Sequence, residues 1–145
     1  MKANGGFLVT KIKQLGDRIF ERILAEKNID AFNGAQGRIL YVLWQEDGVP
    51  IKIISEKSGL AITSLTTMLE RMEKNGLIRR KTDEADKRKT LLFLTDKAKE
   101  LKEAYDSVSN EMGNIYYRDF TDKEILQFEE YLNRIRVNLE EWSDK

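Results

Sequence analysis

Apolar residues recur along most of this chain with the period of a helix, and one central stretch breaks that rhythm with short strand-like segments. Leu8, Ile12, Leu15, Ile19 and Ile23 follow at spacings of four, three, four and four, one stripe of an amphipathic helix. Met1 to Gly6, with two glycines and little apolar content, reads as a frayed start, and Lys27-Asn28-Ile29-Asp30 ends or interrupts the helix. Ile39, Leu40, Leu43 and Trp44 define the inner side of a second helix over 36–45, between the turn Asn33-Gly34 and the stop Asp47-Gly48. Val49 is placed to add a short strand. Pro50 suits the start of a third helix, where its missing N–H costs nothing, and Ile51, Ile53 and Ile54 supply that helix's core contacts. Gly59 stands where a left-handed residue makes a sharp turn. Ile62, Leu65, Leu69 and Met72, spaced three, four and three, predict the buried stripe of a fourth helix that Asn75-Gly76 terminates.

The rhythm then changes. Residues 77–81 and 90–94 are short and rich in apolar residues and Thr, and the polar run Thr82 to Lys89 lies between them, which predicts a hairpin with a long charged tip. A loop of that length is more often functional than decorative. Thr95 is placed to cap a fifth helix opening at Asp96, with Leu101, Tyr105, Val108 and Met112 along its stripe. After a break over 119–122, Thr121 and Glu124 form a capping box for a sixth helix. Ile125, Phe128, Leu132, Ile135, Leu139 and Trp142 continue it at alternating three and four, a seam of nearly three heptads.

A short helix, a tight turn, a longer helix and a two-stranded hairpin in that order make a winged helix-turn-helix, a fold that usually holds double-stranded DNA. The predicted class is mainly α with a small β-hairpin wing. Residues 1–145 are read as one domain, with the DNA-binding lobe at 36–95 and a helical dimerisation region at 7–30 and 96–145. Opposite the fourth helix's buried stripe lie Thr63, Ser64, Thr67, Arg71 and Lys74, short hydroxyls near the helix start and cations one and two turns later. A major-groove helix wants this layout, small donors near base edges or phosphates and long cations on the backbone.

Charge sharpens this picture. The chain carries 25 Lys or Arg and 25 Asp or Glu, so its sum is zero, which argues against a nucleic-acid partner until the distribution is read. From Arg71 to Lys89 there are eight cations and four anions, a net of +4; from Glu103 to Lys145 there are five and eleven, a net of −6. One end is basic and the other acidic, which orients a protein on a polyanion. Without Cys or His, disulfides, thiol redox sensing, Ser-His-Asp catalysis and ordinary zinc sites are excluded. No apolar run approaches a membrane span and Met1 to Leu8 is no signal peptide, so the cytoplasm is the expected location. No cofactor, metal or enzymatic activity is expected, since no carboxylate pair or Gly-rich phosphate loop stands out.

Taken in order, the elements resemble the MarR (multiple antibiotic resistance regulator) family of bacterial transcription factors. The resemblance runs from Leu8 to the C-terminus. Its most specific part is Leu65-Thr-Thr-Met-Leu-Glu-Arg-Met-Glu-Lys-Asn-Gly-Leu-Ile-Arg-Arg80, then Asp83-Glu-Ala-Asp86-Lys-Arg88 and Leu92-Phe-Leu-Thr95. Met72 stands where the family usually has Leu. The resemblance implies that Arg88, with Lys87 beside it, enters the minor groove from the wing tip and that Asp86 braces the wing through an ion pair. It implies that Thr63, Ser64, Thr67 and Arg71, with Lys74 behind them, face the major groove or its phosphates. It further implies a homodimer on a pseudo-palindromic operator, a repressor released by a small, often aromatic or phenolic ligand. Leu8, Ile12, Leu132, Ile135 and Leu139 are the candidate dimer contacts. Members that sense peroxide through Cys or zinc through His do not include a chain lacking both.

Each assignment has a plainer rival. Composition alone makes Thr82 to Lys89 a solvated loop. Thr63 or Ser64 serves as a helix cap. The 125–142 seam packs within one monomer rather than between two. Tyr41, Trp44, Tyr105, Tyr116 and Tyr117 fit core packing better than a ligand cleft, and an exposed helix face explains Lys11 and Arg18, so no ligand residues are assigned. A winged-helix module that docks a protein instead of DNA is the alternative function.

Overall fold

A computed structural model describes residues 1–145 as seven helices and three strands. Helix α1 spans Gly5–Glu26, α2 Gly34–Gln45, α3 Ile51–Ser58 and α4 Ile62–Lys74, with strand β1 at Val49–Pro50. Strands β2 (Ile78–Thr82) and β3 (Thr90–Leu94) form the hairpin, and α5 (Asp96–Glu100), α6 (Lys102–Tyr116) and α7 (Asp122–Ser143) follow. The chain divides into two compact units, residues 1–110 and 111–145.

The first unit holds the winged helix. Its sheet has the order β1-β3-β2 with both pairings antiparallel, Val49 opposite Leu92 and Arg80 also opposite Leu92. Strand β3 therefore sits centrally, and its alternate residues Leu92 and Leu94 point into the core. In the same core lie Ile39, Leu40 and Leu43 of α2, Ile54 of α3, and Leu65, Leu69 and Met72 of α4, all essentially inaccessible. Side-chain hydrogen bonds fasten the sheet to its surroundings. Asp47 Oδ1 accepts from the Leu94 N–H at 2.8 Å, and Thr95 Oγ1 donates to Gly76 O at 2.6 Å while accepting from the Ala98 N–H. Trp44 Nε1 donates to Ala98 O at 3.2 Å, so α2 grips the start of α5.

Three local readings are corrected. The helical start lies at Gly5, where the Leu8 N–H already donates to Asn4 O, so Gly5 and Gly6 belong to α1. Ile62 is 48% exposed. As the first residue of α4 it lies roughly 50° off the centre of the Leu65-Leu69-Met72 stripe at 3.6 residues per turn, and no preceding turn of helix covers it. The fifth helix is interrupted: Leu101 caps α5, with its N–H donating three residues back to Ala98 O, before α6 resumes with Tyr105 N–H on Leu101 O. Apolar periodicity runs straight across that tightened turn, so spacing gives no sign of it.

The second unit consists of the end of α6 and α7. Thr121 Oγ1 accepts from the Glu124 N–H at 3.1 Å, and Glu124 Oε1 accepts from the Thr121 N–H at 2.9 Å, the capping box expected there. Asn33 and Gln36 make the same reciprocal pair at the start of α2. Tyr117 stacks edge-on with Tyr116, Phe120 and Phe128 and donates its hydroxyl to Glu129 at 2.8 Å. No residue of α7 is fully buried. No helix is long and apolar enough to cross a membrane.

Candidate nucleic-acid interface

The turn between α3 and α4 is fixed from within. Gly59 takes φ +76 and donates its N–H to Ser55 O at 3.0 Å. Ser55 Oγ donates to Leu60 O at 2.7 Å, and Ser58 Oγ accepts from the Leu60 N–H at 3.1 Å. Helix α4 then starts after Ala61, whose methyl group provides no cap. The cap readings of Thr63 and Ser64 are thus overturned: both lie in the first turn, not before it, and both are exposed. The first N–H groups of α4 receive no side-chain acceptor, and with the helix dipole they present a partial positive charge outward.

With Leu65, Leu69 and Met72 turned inward, Thr63, Thr67 and Lys74 occupy the opposite, outward row, flanked by Ser64 and Arg71. All five are exposed. Arg71 and Lys74 fall in the last turn, where they also complement the carbonyl end of the helix.

The hairpin tip is built by two aspartates. Asp83 Oδ1 accepts from the Ala85 N–H at 2.9 Å, and Asp83 N–H donates to Lys89 O at 3.0 Å, closing the loop. Asp86 Oδ1 accepts from the Arg88 N–H and from Arg88 Nε, both at 3.1 Å, while Oδ2 accepts from Nη2 at 3.3 Å. The Arg88 guanidinium and its own backbone N–H hold the Asp86 carboxyl below its ordinary value. Arg88 nevertheless keeps 91% of its side chain exposed, and three of its five N–H donors remain unused. Lys87 beside it is exposed too. The structure therefore brings Asp86, Lys87 and Arg88 together at one tip, and Thr63, Ser64, Thr67, Arg71 and Lys74 onto one face of α4.

Strand β2 adds residues outside the candidate set. Its alternation turns Arg80 toward α4, where Nε lies 3.4 Å from Glu73 Oε1, and turns Arg79 the other way, its guanidinium 5.8 Å from the Phe93 ring centre. Period-two alternation along Ile78-Arg79-Arg80-Lys81 was the available signal.

Among the candidate dimer contacts, Leu8 and Ile12 are exposed on α1, Leu132 is half-buried on α7, and Ile135 and Leu139 are exposed. In the first unit Tyr105 packs among Phe20, Phe32, Tyr41 and Trp44, with ring centres 5.3 to 6.1 Å away, and Tyr41 stays 46% exposed. A surface depression of about 560 Å³ is lined by α7 residues alone, among them Leu126, Asn133 and Val137, and holds none of the α4 or wing residues.

Residues 32–90, the stretch that carries this face and wing, match the family model described as "MarR family". Over that stretch the chain is similar to the MarR family. Among its relatives is the HTH-type transcriptional regulator TtmR of Methylorubrum extorquens, 38% identical over 77 residues, which are 53% of this chain and 40% of TtmR. The chain spans less than half the length of the first curated relatives it matches. An Escherichia coli MarR variant complexed with operator DNA has the same fold, with a TM-score of 0.80 at 22% identity over 90% of this chain and 91% of that one. Bordetella bronchiseptica BpsR, whose structure concerns regulation of its DNA binding by 6-hydroxynicotinic acid, superposes with a TM-score of 0.82 at 18% identity, covering 92% and 99%.

Proposed function

We propose that this chain is a sequence-specific, DNA-binding transcriptional regulator that works in the cytoplasm as a homodimer on a pseudo-palindromic operator. The observation that carries the reading is the pairing of an exposed Thr63-Ser64-Thr67-Arg71-Lys74 face with an Asp86-held Arg88 at the wing tip. The first suits a major groove and its phosphates, the second a narrower minor groove beside it. A charge of +4 over Arg71 to Lys89 supplies the non-specific attraction that the chain's zero sum conceals. The exposed apolar residues of α1 and of α7 support a second copy as their cover.

Repression is the proposed mode, since a dimer seated on an operator blocks whatever else must bind there. A small aromatic or phenolic ligand is the proposed releasing signal. BpsR, similar in fold, has its DNA binding regulated by a hydroxylated aromatic acid, which supports that class without naming the molecule.

The test is a gel shift on DNA flanking the protein's own gene, titrated with salt and unlabelled competitor. A discrete complex that resists unrelated competitor and weakens steeply with salt is expected. No complex at low salt, with folded dimer in hand, overturns the reading in favour of a protein-docking winged helix.

A further inference from the structure

The outward row of α4 contains a residue the reading above does not use. Thr63, Thr67, Glu70 and Lys74 follow at spacings of four, three and four, so Glu70 stands in the same straight row as the proposed groove-facing residues. That row lies opposite the buried Leu65-Leu69-Met72 row, and Glu70 is exposed. The other carboxylate of this helix, Glu73, is held by Arg80 at 3.4 Å. Glu70 makes no such ion pair.

We propose that Glu70 is a specificity-determining residue that reads a cytosine in each half-site. The inference rests on the DNA-binding reading and deepens it. A carboxylate brought into the groove of a polyanion meets repulsion from the phosphates, so it weakens binding everywhere except where a base offers it a donor. In the major groove only the exocyclic amino groups of cytosine and adenine donate. Adenine sets its N7 acceptor beside that amino group, which repels the second carboxylate oxygen. Guanine and thymine present acceptors or a methyl group there. Cytosine is the base whose own edge suits a carboxylate. The Glu side chain is also longer than that of Thr67 one turn earlier, so it reaches farther as the helix runs along the groove. The competing role is a surface partner for Lys74 four residues on, which would leave base preference unmoved.

The test is selection from a random duplex pool with the full chain, followed by sequencing of the bound fraction, for the parent and for Glu70→Gln and Glu70→Ala. The parent is expected to select a two-fold related motif containing one Glu70-dependent cytosine per half-site. Glu70→Gln should move that position to adenine, because a glutamine amide matches N6 and N7 together. Glu70→Ala should flatten that position alone, losing about tenfold discrimination, and should bind unrelated duplex more tightly than the parent does. Both variants selecting the parent motif unchanged overturns the inference while leaving the DNA-binding reading in place. A parent that selects no motif overturns both.

Discussion

Asp86 and Arg88 sit two residues apart, and the hydrogen bonds between them decide what the wing tip presents. One carboxylate fixes both the Arg88 backbone N–H and its guanidinium, so the cation is held outward before any partner arrives. Arg88→Ala should weaken operator binding and reduce the slope of log affinity against log salt by about one unit, the share of a single phosphate-seeking cation. Asp86→Ala is the sharper test. It removes a negative charge from a surface proposed to meet DNA, which by Coulomb's law alone should tighten binding, whereas loss of the brace should weaken it. Weaker binding in a gel shift supports the brace, and tighter binding sinks it. Because Arg88 lowers the Asp86 pKa, the brace persists below the ordinary carboxylate range and is lost as pH falls through the lowered value. Tyr117 runs the other way. Burial, then its bond to Glu129, pushes its hydroxyl up to about 12, so the unfolded chain loses that proton first. Its contribution to stability is therefore complete below the ordinary tyrosine value and disappears as pH rises toward about 12. Spectrophotometric titration of tyrosinate should show a late-ionising group that Tyr117→Phe removes. At this scale the wing tip was legible because Asp83, Asp86 and Arg88 act through neighbours two residues away. Glu73 with Arg80 was not, because a strand's alternation had to be folded against a helix before the two met.

Elements were legible where their ends carry their own chemistry. The capping box at Thr121 and Glu124 and the Thr95 cap of α5 each follow from a side chain and a backbone group within three or four residues, and the left-handed turn at Gly59 follows from its lack of a side chain. The same locality explains the failures. The break at Leu101 carries no Gly or Pro, and the exposure of Ile62 follows from where α4 happens to begin. Thr121→Ala should destabilise α7 by about 1 kcal/mol, the usual worth of such a cap, visible as reduced helicity on heating. Gly48 is a harder constraint. It has φ +71, and a Cβ there would come within 2.6 Å of the Phe93 ring, the ring against which Arg79 rests. Gly48→Ala should therefore cost about 1–3 kcal/mol from backbone strain alone, measured by denaturant unfolding, with the root of the wing displaced as well. An unchanged midpoint would mean that the left-handed turn is not required there.

At the scale of the whole molecule, what needs explaining is apolar surface that one copy leaves uncovered. Helix α7 is 22 residues long and buries none of them; Leu139 is 66% and Trp142 73% exposed. On α1, Leu8 is 49% and Ile12 39% exposed. A helix of that kind gains little from propensity alone and needs an amphipathic face packed on something. Burying one Leu or Ile fully is worth roughly 1.5–3 kcal/mol, so a few such residues from each of two copies suffice to offset the entropy lost on association. A second copy would also set the geometry of recognition, because a two-fold pair would place its two α4 helices about one turn of DNA, roughly 10 bp, apart. Leu139→Asp puts a charge into that proposed interface without touching α4 or the wing. By light scattering the parent should be a dimer at micromolar concentration, and the variant should shift toward monomer. Its affinity for a full operator should fall toward that for a single half-site, while binding to the half-site itself stays as it was. The parent's affinity should likewise collapse when half a turn of DNA is inserted between the half-sites, since the second α4 then faces the wrong side of the duplex. If Leu139→Asp stays dimeric and binds the full operator like the parent, α7 does not pair the copies. If the spacing insertion has no effect, the two readers are not held in a fixed relation at all, and the exposed seam must serve another partner.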